Sequence, residues 1–282
     1  MEIHFDDQVV LITGASTGIG AAVARAFGAA GAKVVVHYNQ SEDAAHAVAR
    51  DIEANGGTAL PAQADVTDPE QLRSLVAKTM AAFGHIDILI NNAGSLIIRQ
   101  PVAEMPDETY RQIIDINLTS VFQLCKLVIP IMQQQRRGNI INVTSVAARN
   151  GGGGGSILYA SSKGSVSTFT RGLAKELAGS NIRVNAVSPG TILTPFHERF
   201  TKPKQMQATI ATIPMGRAGT PEECVGAFFF LASDAMSGYI TGQVIEINGG
   251  QLMPSIVPAA SLRRQLAHDP NQIRLAFEAN AG

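Results

Sequence analysis

The octapeptide TGASTGIG, Thr13 to Gly20, follows directly on the apolar run QVVLI and leads into GIGAAVARAFGAAG, a segment of helical period. A strand, a glycine-rich turn and a helix in immediate succession leave few folds open. Glycines at such a turn let the backbone bend tightly and approach a pyrophosphate, while the free N–H groups and dipole of the helix start attract its charge. A glycine pattern alone is weak, so its weight depends on the rest of the chain.

The rest repeats the same rhythm. QVVLIT (8–13), KVVVH (33–37), TALPAQA (58–64), DILIN (87–91), NIINV (139–143), IRVNAV (182–187) and QVIEI (243–247) are short apolar runs, most rich in β-branched residues. Such runs suit strands covered on both faces, as in parallel sheets. Between them lie helix signals: Asp68-Pro69-Glu70 offers an N-cap, a proline at the first helical position and an acid in the first turn, and Pro221-Glu222-Glu223 repeats that logic. Pro130 is expected to kink or end the helix that begins near Pro106. The alternation predicts an α/β, Rossmann-like doubly wound fold: a seven-stranded parallel sheet with helices on both faces and right-handed crossovers.

At 282 residues the chain fits a single unit over 1–253 with a C-terminal tail, 254–282, that reads as helical in part or as a disordered end. Its net charge of -1 argues against nucleic acid as a partner, which needs clustered lysine and arginine. No apolar run approaches the roughly 20 residues of a membrane span, so no membrane partner is expected. The start, MEIHFDDQ, lacks the basic and then apolar order of a signal peptide, which leaves a cytoplasmic protein as the default. Cys125 and Cys224 read as buried or free thiols, and six scattered histidines without HExxH spacing give no reason to expect a metal.

TGASTGIG, the pair Asp65-Val66, NNAG (91–94), Asn117, Ser145, YASSK (159–163) and SPG (188–190), in that order, resemble the motif set of the short-chain dehydrogenase/reductase family, its compact single-domain branch, over residues 5–253. The resemblance implies a nicotinamide dinucleotide cofactor. Gly14, Ser16, Thr17, Gly18, Ile19 and Gly20 would carry its phosphates, with Tyr38 and Asn39 near the ribose. Asp65 and Val66 would bind adenine, and Asn92, Ala93 and Gly94 would support the adenosine half. Pro189, Gly190, Thr191, Ile192 and Thr194 would reach the nicotinamide, together with Tyr159 and Lys163. The catalytic group it implies is Asn117, Ser145, Tyr159 and Lys163, with Asn117 holding a water that relays protons toward the lysine.

The residue chemistry agrees. Tyr159 and Lys163 are four apart at the start of a helical segment and share one face. A free tyrosine titrates near pH 10; lowering that by about 3 units needs roughly 4 kcal/mol of preference for the charged form. One screened lysine does not supply it, so the site must be enclosed and a positive nicotinamide must help. Ser145 can donate to the substrate oxygen that becomes alkoxide-like. Singly, each residue also suits a cap, an amphipathic pair or a polar helix position, and only their joint appearance behind a nucleotide loop makes them catalytic.

No acid stands just after the second strand, where Tyr38 and Asn39 occupy its place, so nothing there repels a 2′-phosphate. NADP(H) is therefore favoured, with NAD(H) or dual use next. His37, Asn39 and Ser41 offer weak donors for that phosphate. The expected substrate is a small carbonyl or secondary alcohol. His197, Arg199, Lys202 and Lys204 in the segment 191–219, with Arg149 and Asn150, point to a sugar or sugar acid; the alternative is a 3-oxoacyl thioester. A non-catalytic nucleotide sensor is the reading from a different class, and it would be expected to lack one of the four catalytic side chains. Family resemblance also implies a homotetramer, formed through segments near 106–135 and 159–178. The run Gly151–Gly155 imitates a domain linker, but between Ser145 and Tyr159 it reads as a loop bulging beside the substrate.

Overall fold

Successive residues of a buried strand face opposite ways, and in this chain both sets are apolar. In β1 (Val9–Ile12), Val10 and Ile12 enter one core cluster and Leu11 the other. The computed structural model describes residues 3–253, so the tail expected at 254–282 lies outside the described residues. Six further strands follow: β2 (Lys33–Tyr38), β3 (Thr58–Gln63), β4 (Ile88–Asn91), β5 (Gly138–Val143), β6 (Ile182–Pro189) and β7 (Val244–Ile247). They pair in parallel in the order β3-β2-β1-β4-β5-β6-β7, the doubly wound sheet that the sequence predicts.

Helices cover both faces. On one side α1 (Gly18–Ala29), α2 (Glu42–Ala54) and α10 (Glu222–Ala232) bury Phe27, Val48, Ile52 and Phe228. On the other, α3 (Pro69–Phe83), α5 (Ser120–Gln135) and α7 (Ile157–Leu177) bury Leu72, Leu124, Val128 and Val166. The rings of Phe5, Phe27 and Phe229 meet at centroid distances of 4.7–5.1 Å and join the chain start to α1 and α10. Shorter helices, α4 (Asp107–Ile114), α6 (Ala147–Asn150), α8 (Pro195–Phe200), α9 (Pro203–Ile210) and α11 (Asp234–Ser237), lie in the connections.

Asp68 caps α3 as expected, its carboxylate accepting from the N–H groups of Glu70 and Gln71. Before α10 the cap is built differently: Glu223 reaches back to the N–H of Thr220, at 2.9 Å. Pro130 does not end its helix. It sits exposed on α5 while Leu124, Cys125, Val128 and Met132 hold the opposite stripe in the core, and the helix continues to Gln135. The interruption falls earlier, at a π-helical turn over Asp115–Thr119. Taken together, Asp107–Gln135 is a 29-residue helical run long and apolar enough to cross a bilayer, which short apolar runs in the sequence do not reveal. Its buried stripe packs in the sheet's own core, as core helices of such proteins do.

Strand order reverses between β1 and β4. Open α/β sheets bind ligands at that switch point, outside the carboxyl ends of the strands, and the turns after β1 and β4 meet there.

Candidate active site

At the switch point the loop after β1 is held from β4. Thr13 Oγ1 accepts from the N–H groups of Asn92 and Ala93, each at 3.0 Å, and Asn92 Nδ2 donates to the carbonyls of Thr13 and Gly14. A Cβ at residue 20 would stand 2.2 Å from the Gly14 carbonyl oxygen, so this turn requires Gly20. The first turn of α1 has no side-chain cap, leaving its N–H groups free for an anion. Gly14, Ser16, Thr17, Gly18 and Ile19 line a cleft of about 570 Å³, as do Asn92, Ala93 and Gly94. Uncapped donors on a backbone that can be approached closely fit a dinucleotide pyrophosphate.

His37 has another task than binding phosphate. Its Nδ1 accepts from the Gly14 N–H at 3.0 Å, and its Nε2 lies 3.0 Å from the Ala64 carbonyl, which fixes the Nε2–H tautomer. Burial pushes its pKa down to about 4, so it stays neutral and keeps that acceptor. Tyr38 is in the core, 6% exposed. Asn39 and Ser41 are exposed at the end of β2. Asp65 accepts at Oδ1 from the N–H and hydroxyl of Thr67, and Val66 is buried. Tyr38, Asn39, Asp65 and Val66 stand at the carboxyl ends of β2 and β3, and none of them lines the cleft.

Farther along the cleft, Ser145, Tyr159 and Lys163 come together. Ser145 follows β5, and its Oγ accepts from the Ala147 N–H at 3.1 Å. Tyr159 and Lys163 project from the first turns of α7, with the ammonium 5.8 Å from the phenol ring centroid. Lys163 Nζ donates to the Val143 carbonyl at 2.8 Å. Burial lowers the Lys163 pKa to about 8. The phenol of Tyr159 is pushed up to about 12 by burial, against the opposing hydrogen bond from Ser145. Asn117 is fully buried in the π-helical turn. Its Nδ2 donates to Ser95 O and Ile113 O, and its Oδ1 accepts from Ser95 N–H. The amide is thus spent on fixing the loop after β4. Gly94 separates it from the lysine: a Cβ there would lie 2.8 Å from Asn117 Oδ1 and 3.1 Å from Lys163 Nζ.

Pro189, Gly190, Thr191, Ile192 and Thr194 line the cleft beyond β6. Gln251, which the sequence reading missed, accepts at 3.3 Å from both the N–H and the hydroxyl of Thr191. Other unanticipated lining residues are Leu96, Arg99, Phe196, Gln205 and Met206. Phe196 packs on Tyr159 with centroids 5.6 Å apart. Among the basic residues of 191–219, only His197 lines the cleft, and burial together with the nearby Arg99 lowers its pKa to about 4. Arg199, Lys202 and Lys204 are exposed, and Arg149 pairs with Glu246 at 3.3 Å. Gly152 and Gly153 of the glycine run line the cleft, as does Asn150. One signal could have exposed Arg99: it is the lone charged residue in SLIIRQP, directly after the apolar run LII.

Comparison with known proteins agrees with this geometry. Residues 14–251 match the family profile described as enoyl-(acyl carrier protein) reductase. The 3-oxoacyl-[acyl-carrier-protein] reductase of Synechocystis sp. is 44% identical over 250 residues, 87% of this chain and 97% of that protein. Among solved structures, an NADH-dependent reductase A1-R′ responsible for alginate metabolism superposes with a TM-score of 0.81 at 35% identity, covering 88% of this chain and 98% of that one. A 7α-hydroxysteroid dehydrogenase complexed with NADH and a 7-oxo bile acid gives 0.83 at 35% identity, covering 88% and 96%. The chain belongs to the short-chain dehydrogenase/reductase family, as an NAD(P)(H)-dependent oxidoreductase acting on hydroxyl and oxo groups.

Proposed function

We propose that this enzyme reduces 3-oxoacyl thioesters to 3-hydroxyacyl thioesters. The observation that carries the reading is the apolar wall of Leu96, Phe196 and Met206 in the cleft that holds Tyr159, beside an uncharged His197. The cations that suggested a sugar acid, Arg199, Lys202 and Lys204, are exposed and line no part of it. The names of the Synechocystis relative and of the matched profile point the same way, whereas the sugar-acid reading has in its favour the alginate-related neighbour and a solved putative gluconate 5-dehydrogenase.

With its pKa near 12, Tyr159 carries its proton at neutral pH and is ready to donate it to an oxygen that gains charge. When bound, a reduced nicotinamide cofactor would supply the hydride for the carbonyl carbon. Ser145 then donates a hydrogen bond to the carbonyl oxygen, Tyr159 transfers its proton, and the cationic form of Lys163 stabilises the phenolate left behind. Asn117 holds Ser95, and with it the loop that closes one side of the site.

NADPH is the proposed cofactor, since no carboxylate occupies positions 38 to 41; with His37 committed to Gly14, exposed Asn39, Gln40 and Ser41 are the remaining donors there. Tenfold tighter NADH binding in a fluorescence titration would overturn that preference. Residues 1–253 form one folding unit on this reading, assembled as a cytoplasmic homotetramer. A coupled assay decides the substrate: acetoacetyl thioester is expected to give at least tenfold higher kcat/KM than any sugar acid, and the reverse order would sink the thioester reading.

A further inference from the structure

Arg99 is the one cation of the cleft wall besides Lys163. It sits in the loop after β4, anchored two ways. Nε donates to the Phe200 carbonyl at the end of α8, 2.6 Å away, and Nη1 to the Gly154 carbonyl at 3.2 Å. The guanidinium thus spans the glycine run and the short helix that carries Phe196 and His197. Two of its five N–H donors are used in this way. Among the described residues no carboxylate pairs with it, unlike Arg25, Arg73, Arg137, Arg149, Arg183 and Arg217. Its desolvation is therefore not offset by an acidic side chain, and its charge is felt at His197 across the same cleft.

A partly buried cation with spare donors, held rigidly by two carbonyls, is preorganised for an oxygen acceptor brought by a ligand. The same cleft offers Tyr159 and Ser145 for the reacting carbonyl, so the acceptor must be a second oxygen of the substrate. We infer that Arg99 is a specificity-determining residue that binds the substrate's second oxygen function, the thioester carbonyl of a 3-oxoacyl group or the carboxylate of a 3-oxo acid. This rests on the proposed 3-oxo substrate class and adds the residue that would select it over simple ketones.

The test compares pairs of which one member carries the second oxygen function and the other lacks it: acetoacetate against 2-butanone, and an acetoacetyl thioester against a monoketone of similar length. Arg99→Met is expected to raise KM for the 3-oxo member of each pair about tenfold or more, the loss of a charge-assisted hydrogen bond. KM for the monoketone and the NADPH Kd should stay within about twofold. Arg99→Lys, which keeps the charge but not the fork, should recover part of that discrimination. Equal losses on both members of a pair would reduce Arg99 to a strut for α8 and overturn the assignment, as would no change on either. Wild-type thioester turnover by itself decides the function proposed above, and the acetoacetate pair still decides Arg99 if that turnover is absent.

Discussion

On the proposed mechanism Lys163 sets the pH range of reduction. Its charge must be present to stabilise the Tyr159 phenolate, and with a pKa near 8 that charge is lost as pH rises through about 8. The rate of carbonyl reduction should be flat between pH 6.5 and 7.5 and fall about tenfold per unit well above 8. In Lys163→Arg, whose guanidinium stays protonated, the plateau should drop but the alkaline limb should disappear; an unchanged limb would assign it to another group. His37 acts at the acid end and on stability. Its folded pKa, about 4, lies below the ordinary 6.5, so the folded state binds fewer protons between those values. The contribution is full above pH 6.5 and is lost as pH falls through 4, amounting to about 3 kcal/mol at roughly 1.4 kcal/mol per unit. Urea unfolding between pH 4.5 and 7 should show that slope, and His37→Asn, which can keep an acceptor for Gly14 without the titration, should flatten it.

Among the elements, the glycine run is most open to dissection. Gly155 has φ +71° and passes within 2.7 Å, at a hypothetical Cβ, of the Gln100 N–H that donates to its own carbonyl. This residue ties the run to the Arg99 loop and tolerates no side chain. Gly153 and Gly154 differ from it and from each other: a methyl at 153 would reach Arg99 Nη1 and Gln205 Nε2, both at 3.4 Å, whereas one at 154 meets nothing within 4 Å. Gly153→Ala should change substrate KM severalfold while moving NADPH Kd less than twofold, and Gly154→Ala should be silent in both. Equal effects on substrate and cofactor would remove the run from the substrate wall. The π-helical turn at Asp115–Thr119 is the other element whose irregularity serves the site, since it carries Asn117 to Ser95.

For the whole molecule, assembly is the property that the buried core does not account for. Tyr110, Phe122 and Ile157, on α4, α5 and α7, are 47%, 45% and 50% exposed; the first two fall within, and Ile157 just before, the segments where the proposed tetramer would form. Light scattering should give about four times the 29.7 kDa chain mass, and Phe122→Glu should lower it. A wild-type monomer would dismiss the tetramer.

β1, β2, β4, β5 and β6, their flanking helices and the parallel sheet were legible because a two-sided buried strand writes itself as a continuous apolar run, and a cap as a local residue pattern; the less buried edge strands β3 and β7 follow from the same alternation with helices. The glycine-rich turn after β1 and the meeting of Ser145, Tyr159 and Lys163 in one cleft were legible for a similar reason: each motif is short and sits at a strand end or on one helix face. Helix continuity through Pro130 was not, because it depends on which side of α5 meets the core. Nor was the commitment of His37 to Gly14, the withdrawal of Tyr38 into the core, or the exposure of Arg199, Lys202 and Lys204. The His37 contact with Gly14 spans 23 residues, and those of Arg99 with Gly154 and Phe200 span 55 and 101. Sequence alone therefore determined the scaffold and the reaction type, whose signals are local; the character of the substrate wall was decided by tertiary structure, because long-range packing chooses which side chains enter the cleft and which remain in water.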